Sequence, residues 1–216
     1  MKSCVIKIIF FDYGGVIADE GFKYGLHAIA KMNGVEPEFL FNTTRDLIHT
    51  TGYLTGKSDE IFFFNMLRDQ TGIKMNNMEL RNNILDRFVI RKWMLDIIDE
   101  LGKNHIRLAI LSDQTNWLDE LEKRDHFFYK FEKVFNSYHL GKSKKDISLF
   151  YDVLGIVDVR PENALFIDDT EEHIERAKSI GINTILFKDK ADFLDQITAY
   201  CPGVKVRTVS FSTTGK

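Results

Sequence analysis

Few features of this 216-residue chain favour a disulfide scaffold, a metal finger or a membrane protein. It holds two cysteines, Cys4 and Cys201, near opposite ends and with no CxxC spacing. That excludes a disulfide framework and a thiolate zinc site, and it fits a reducing cytoplasm. Three prolines (Pro37, Pro161, Pro202) leave no Pro-rich linker, and there is no internal repeat or low-complexity segment. No run approaches the ~18 apolar residues of a membrane span. The opening "MKSCVIKIIFFD" is a poor signal peptide, because its apolar stretch is short, carries Lys7 and ends at Asp12 without a small-residue cleavage pattern. A strong charge excess is also missing: the net charge is -3, which argues against nucleic acid or a membrane surface as a bulk-charge partner. What remains is a chain with 44% hydrophobic and 28% charged residues, long enough for one sizeable core or a core plus a small inserted domain. The composition leaves both a monomer and a homodimer open.

Val5 to Phe11 reads as a buried strand, a short apolar run closed by a Gly-containing turn. Leu108–Leu111, Ala164–Ile167 and Thr184–Phe187 are similar runs, and Val134-Phe135 is a weaker one. Between them, segments 91–104, 146–156 and 171–182 carry apolar residues three or four apart, the helical period. Strands and helices alternating at this spacing predict an α/β fold with a parallel sheet and helices on both faces. The stretch from about 20 to 90 breaks the alternation and reads as an all-helical insertion. Within it, Ser58 before Asp59 and Glu60 is expected to start a helix. The triple Phe62-Phe63-Phe64 is expected to pack, with some of it facing a ligand as the alternative. The small, polar tail "SFSTTGK" is expected to fray.

Three apolar strands end in polar groups: Asp12, then Ser112-Asp113, then Asp168-Asp169. In a parallel sheet the carboxyl ends of strands share one edge, where ligands bind. Segments far apart in sequence therefore converge on one spot. Carboxylates gathered there repel and need a neutralising cation, and oxygen-only ligands favour Mg²⁺ over zinc. The lysines of "GKSKKD", Gly141 to Asp146, can meet an anionic substrate. Each element has a plainer reading alone: Asp12 as a turn former, the Asp-Asp pair as a helix cap, the lysines as a solvated loop. The ordered combination is what points to a site.

That combination resembles the haloacid dehalogenase-like hydrolase superfamily. The motifs are "IIFFDYGGVIAD", "LAILSDQT", "SYHLGKSKKDISLFYDVL" and "PENALFIDDTEEHIERAKSIGINTIL", the last being the most specific. The similarity extends to about residue 200 and is nearest to the branch with α-glucose-1-phosphate phosphatases and the N-terminal phosphatase domains of epoxide hydrolases. It implies a Rossmann-like three-layer core over 1–19 and 91–216, and a helical C1 cap over 20–90, where "TGKSDEIFF" is similar to a cap element. It also implies a Mg²⁺-dependent hydrolase of small phosphate esters, sugar phosphates among them. In that scheme Asp12 attacks phosphorus and forms an aspartyl-phosphate that water hydrolyses. Mg²⁺ would be held by Asp12, the Gly14 carbonyl and Asp169. Ser112, Lys144 and nearby backbone N–H groups would stabilise the transferring phosphoryl group, with Gly15 letting the turn approach it. Asp168 would stand behind the ligands, orienting water or Lys144.

Three positions depart from the family pattern. Gly14 stands where most phosphatases of the superfamily carry a second Asp, the general acid–base. A good leaving group, a different acid, or weak turnover would each account for it. Asp113 replaces the branch's usual Asn, so it either turns away from the phosphate site or caps the following helix, or else joins substrate binding. His173 replaces Asn or Asp and is expected beside the metal ligands rather than on the metal. Two alternatives to the phosphatase remain: a non-catalytic phosphate-binding or regulatory member, and a metal-independent 2-haloacid dehalogenase, which would not need the Asp168-Asp169 pair.

Overall fold

A computed structural model describes residues 5–202. Cys4 and the tail "SFSTTGK" lie outside the described residues. Five strands form one sheet: β1 Ile8–Phe11, β2 Arg107–Ser112, β3 Lys133–Asn136, β4 Ala164–Asp168 and β5 Asn183–Leu186. Their order is β3-β2-β1-β4-β5, and every neighbouring pair is parallel. The first strand starts three residues later than its apolar run suggests. Lys7 is already paired through its backbone, donating to Asn163 O and accepting from Arg107 N.

The sheet is buried on both faces because its strands are apolar at both parities of the pleat. Ile9, Phe11, Ile110 and Ile167 enter one core, while Ile8, Phe10, Leu111 and Phe166 enter a second on the opposite face. Helix α5 (Lys92–Lys103) closes the first side with Met94, Ile97, Ile98 and Leu101. Helices α8 (Ser148–Val157) and α9 (Glu171–Ser179) close the second with Phe150, Val153, Ile174 and Ala177. Two further helices of the sheet layers are α6 (Trp117–Asp125) and the single-turn α7 (Ser137–Leu140), and α10 (Lys190–Tyr200) ends the described chain.

Between β1 and α5 run four helices: α1 Gly21–Asn33, α2 Pro37–Thr50, α3 Glu60–Thr71 and α4 Asn77–Leu85. Their start signals are local. Glu36 accepts from Phe39 N, with Pro37 in the first turn of α2. Asn76 and Glu79 form a reciprocal capping box on α4. Helix α3 begins one residue later than Ser58 suggests: its cap is Asp59, whose Oδ1 accepts from Phe62 N at 2.8 Å. A carboxylate is the stronger acceptor there and it also meets the helix dipole.

The helical segment is pinned to the sheet layer near the start of α6. Phe63 and Phe64 are buried against Trp117, with ring centroids 6.3 and 6.0 Å away. Trp117 Nε1 donates to Glu60 Oε1 at 2.6 Å, and Tyr53 OH donates to Asn116 Oδ1 at 2.7 Å. Phe62 is exposed instead. Two of the three therefore serve packing, and none of them lines the large cavity described next.

Candidate active site

Register explains the convergence. Phe11 lies level with Ile110 of β2 and Ile167 of β4, so Asp12, Ser112 and Asp168 emerge together at the carboxyl edge. Asp12 N still donates to Ile167 O at 2.9 Å, which fixes the nucleophile candidate to the end of the ladder. The chain then turns sharply. Gly15 has φ +75°, and a Cβ there would stand 2.0 Å from Asp169 Oδ2. Glycine at 15 is thus required by the close approach of Asp169 as well as by its backbone conformation. Arg91, just ahead of α5, holds this turn by donating to the Gly15 carbonyl and to Val16 O, and it pairs with Asp19 at 3.1 Å.

Asp12 accepts from Ser112 Oγ at 2.6 Å and from Tyr13 N at 2.7 Å. Lys144 is wholly buried, its ammonium 2.9 Å from Asp12 Oδ2 and 2.6 Å from Asp168 Oδ2. Asp168 is further held by Thr170 N at 2.7 Å and by His173 Nδ1 at 3.2 Å. Asp113 Oδ1 accepts from Ser137 Oγ at 2.6 Å and from Lys144 N at 2.8 Å, so this oxygen secures the lysine loop. The helix that follows Asp113 is preceded by Asn116 instead.

These groups open into a cavity of about 680 Å³ between the strand ends and helices α1 and α2. Asp12, Gly14, Ser112, Asp113, Asp169 and His173 all line it. Asp168 and Lys144 do not, standing behind Asp12. Several lining residues were not singled out in the sequence: Gln114 and Thr170, inside the second and fourth motifs, Glu20 beside the first, and Lys23, Phe41, Arg45 and His49 overhead. Glu20 directly follows the first motif, but its only visible sequence role is as a cap of α1, where it accepts from Lys23 N at 3.1 Å. The overhead residues lie on α1 (Lys23) and α2 (Phe41, Arg45 and His49), in segments with no motif of their own.

Crowding shapes the electrostatics. Burial pushes the Asp12 carboxyl up to about 6, with the charge of Asp168 adding to this and Lys144 and Ser112 opposing it. Burial would also raise Asp168, but Lys144 and His173 more than offset it and hold this group well below the usual range. The same two aspartates, opposing burial, push the Lys144 ammonium upward, so it stays charged. Asp169 is pushed up to about 8 by desolvation in the crevice and then by the charges of Asp12, Asp168 and Glu20. It is an exposed residue by area, so repulsion from these charges is the firmer of the two causes. Glu20 is only partly buried by area, yet protein atoms around its carboxyl push it up to about 7, opposed by the hydrogen bond from Lys23 N and helped by the charge of Asp12.

One oxygen each from Asp12, Asp168 and Asp169 lie within 4.8 Å of one another. The hydrogen bonds divide their duties. Asp168 spends both oxygens on Lys144, Thr170 and His173. Asp12 and Asp169 face the cavity. An all-oxygen donor set with two cavity-facing carboxylates, one of them strongly disfavoured as a bare anion, suits a hard divalent cation.

Comparison with known proteins follows the same lines. A family model described as haloacid dehalogenase-like hydrolase matches residues 38–187. The chain is 27% identical over 208 residues to D-ribitol-5-phosphate phosphatase of Bacteroides thetaiotaomicron, covering 90% of this chain and 98% of that one. It is 27% identical over 115 residues to the bifunctional epoxide hydrolase 2 of Rattus norvegicus, covering 50% of this chain but only 20% of that longer protein. A 34% identity over 68 residues to drimenol cyclase drtB of Aspergillus calidoustus spans 32% of this chain and 13% of that protein. Among solved structures, a haloacid dehalogenase family enzyme of Bacteroides thetaiotaomicron, in complex with magnesium and inorganic phosphate, superposes with a TM-score of 0.69. It is 20% identical, with 88% of this chain and 98% of that one covered. No helix among the described residues is long and apolar enough to cross a membrane.

Proposed function

Since this chain belongs to the haloacid dehalogenase-like hydrolases, we propose that it is a Mg²⁺-dependent phosphomonoester hydrolase acting on a small metabolite through an aspartyl-phosphate on Asp12. The observation that carries this reading is Asp12 itself. It lines the cavity while held by Ser112 at 2.6 Å and Lys144 at 2.9 Å, with Asp169 beside it. A carboxylate so fixed is a positioned nucleophile. The phosphatase relative and the phosphate-bound structural neighbour lend the substrate class, and a sugar or sugar-alcohol phosphate is favoured.

Asp12 and Asp169 would hold Mg²⁺, which when bound supplies positive charge between the attacking carboxylate and the phosphoryl oxygens. The other residues act as follows. One oxygen of Asp12 attacks phosphorus while the ester oxygen departs, and water later cleaves the resulting acyl phosphate. Ser112 Oγ, which lines the cavity and is already on Asp12, donates to a phosphoryl oxygen as charge moves onto it, while Lys144 Nζ steadies the Asp12 carboxylate from behind. Asp168 keeps Lys144 in place from behind, and His173 and Thr170 N keep Asp168 in place. Residues 20–90 act as a cap over a core to which the described residues 5–19 and 91–202 belong. From this cap Phe41, Lys23 and Arg45 meet the leaving group. A cavity of about 680 Å³ suits a metabolite rather than a macromolecule.

The test is a panel of phosphate esters with and without Mg²⁺, using Asp12→Asn as control. Turnover that needs the metal and vanishes in Asp12→Asn is expected. Metal-independent turnover, or none that depends on Asp12, overturns the proposal.

A further inference from the structure

The family's usual acid is missing at position 14, yet the place it would occupy is not empty. A Cβ built on Gly14 would point at Glu20 Oε2, 3.0 Å away, with Phe88 Cε1 at 3.3 Å and Gln114 Nε2 at 3.7 Å. The end of the Glu20 side chain thus reaches, from six residues downstream, the space into which an acid at 14 would project. We propose that Glu20 is the general acid–base of this hydrolase, protonating the departing ester oxygen and then activating water.

Three observations support the assignment. Glu20 lines the same cavity as Asp12, on the side where α1 begins. One of its oxygens, Oε1, is held by Lys23 N at 3.1 Å, which leaves Oε2 as the end directed at the vacated position. The two residues that precede Glu20 are tied to the turn after β1 and to the segment just ahead of α5. Ala18 bridges both Gly14 and Ile90, Asp19 N donates to Val89 O at 2.9 Å, and Asp19 pairs with Arg91. The chain that leads to Glu20 is thus fixed up to its immediate neighbour, Asp19. Placement, not acidity, distinguishes Glu20 from the other carboxylates of the cavity.

The proton balance closes. In the first half-reaction Asp12 forms a bond to phosphorus, the phosphorus–ester oxygen bond breaks, and the carboxyl proton of Glu20 passes to the leaving alkoxide. This gives the alcohol, aspartyl-phosphate and Glu20 carboxylate. In the second, Glu20 takes a proton from water as the water oxygen attacks phosphorus. The bond to Asp12 breaks, releasing inorganic phosphate, free Asp12 carboxylate and protonated Glu20.

The inference rests on the phosphatase reading, and leaving-group dependence separates the two. Wild type and Glu20→Gln are compared on an alkyl (sugar) phosphate and on p-nitrophenyl phosphate, whose leaving group needs less protonation. Gln keeps an oxygen for Lys23 N, so the α1 cap is preserved; a thermal melt and a Mg²⁺ titration monitored by calorimetry check fold and metal site. The expected result is a kcat loss of roughly 10²–10⁴-fold on the alkyl ester, falling sharply on the aryl ester. Equal losses on both esters, or no loss on either, overturn the assignment. Absence of wild-type turnover on both would instead sink the phosphatase reading on which it stands.

Discussion

Lys144 offers the most demanding test of the site's electrostatics. Its ammonium is wholly buried between Asp12 and Asp168, at 2.9 and 2.6 Å. Replacing it with Met keeps the length and removes the charge. Two carboxylates would then share a buried space with no cation between them. Breaking a buried ion pair by deleting one partner costs about 3–5 kcal/mol, because the remaining charge keeps its desolvation penalty. For a domain of this size each kcal/mol lowers the melting temperature by roughly 2–4 °C, so Lys144→Met should melt about 6–20 °C below wild type. The assay is urea and thermal unfolding in EDTA, repeated with Mg²⁺ present. The deficit should shrink with Mg²⁺, since the metal would neutralise Asp12, but not vanish, since Asp168 faces away from the cavity. Acidification should also narrow the gap, because protonating either aspartate removes the stranded charge. A metal-free deficit below about 1 kcal/mol, typical of an exposed pair, would refute the buried triad.

Two further perturbations follow from the same crowding. Asp12, Glu20 and Asp169 are all raised in the folded chain, to about 6, 7 and 8. Carboxyls raised on folding stabilise the protein below their unfolded values, and that stability is lost as pH rises through the folded ones. The metal-free protein should therefore melt at progressively lower temperature between about pH 5 and pH 8. Mg²⁺ should flatten the slope, and a melting temperature that rises with pH in EDTA would contradict the sign. Asp168, held low, works in the opposite direction, but only below its unfolded value near pH 4, outside this window. Gly15→Ala should cost at least about 1 kcal/mol for its left-handed backbone. Its Cβ would also displace Asp169, so calorimetry should find weaker Mg²⁺ binding than in wild type. Unchanged metal affinity would mean that Asp169 is not a ligand.

The sheet was legible because its strands are short, apolar and separated by helical period. Even the weak run at Val134-Phe135 falls inside a strand. The edge bearing Asp12, Ser112 and Asp168 was legible for the same reason: parallel strands put their carboxyl ends together whatever their distance in sequence. Boundaries were less so, since Val5 and Lys7 carry the strand's chemistry but only the backbone of Lys7 joins the ladder. The cavity's upper wall was not legible. Phe41, Lys23 and Arg45 belong to amphipathic helices, and periodicity separates their buried from their exposed faces without saying which exposed face overhangs a site. Arg45 lies over the Phe41 ring at 5.6 Å through the i,i+4 spacing of α2, but Lys23 of α1, at 5.1 Å, joins them only by tertiary packing. Glu20 was hidden differently. A Glu before a helix is an ordinary cap, and its second oxygen acquires meaning only once Gly14 is seen opposite.

The three departures from the family pattern turn out to be unequal in consequence. Asp113 grips the backbone N–H of Lys144, and His173 lies against both oxygens of Asp168. The two unusual residues thus hold opposite ends of one buried ion pair, 2.6 Å long, that stands behind the nucleophile. Asn at position 113 could still accept from one N–H. It would lose the charge of an acceptor that serves both Ser137 Oγ and Lys144 N, and charge-assisted hydrogen bonds are the stronger kind. Asp113 therefore needs no repulsive contact with phosphate to explain it, because the oxygen that matters is spent on the scaffold. All three line the cavity, but Gly14 is the one that brings no side chain to it. Its lack of a side chain removes a carboxyl from the loop and at the same moment makes room for another from α1. Whether the site runs as a full acid–base catalyst or only on esters that leave unaided thus depends on one oxygen, Oε2 of Glu20. It is the point at which this chain's chemistry departs from its relatives' most common design.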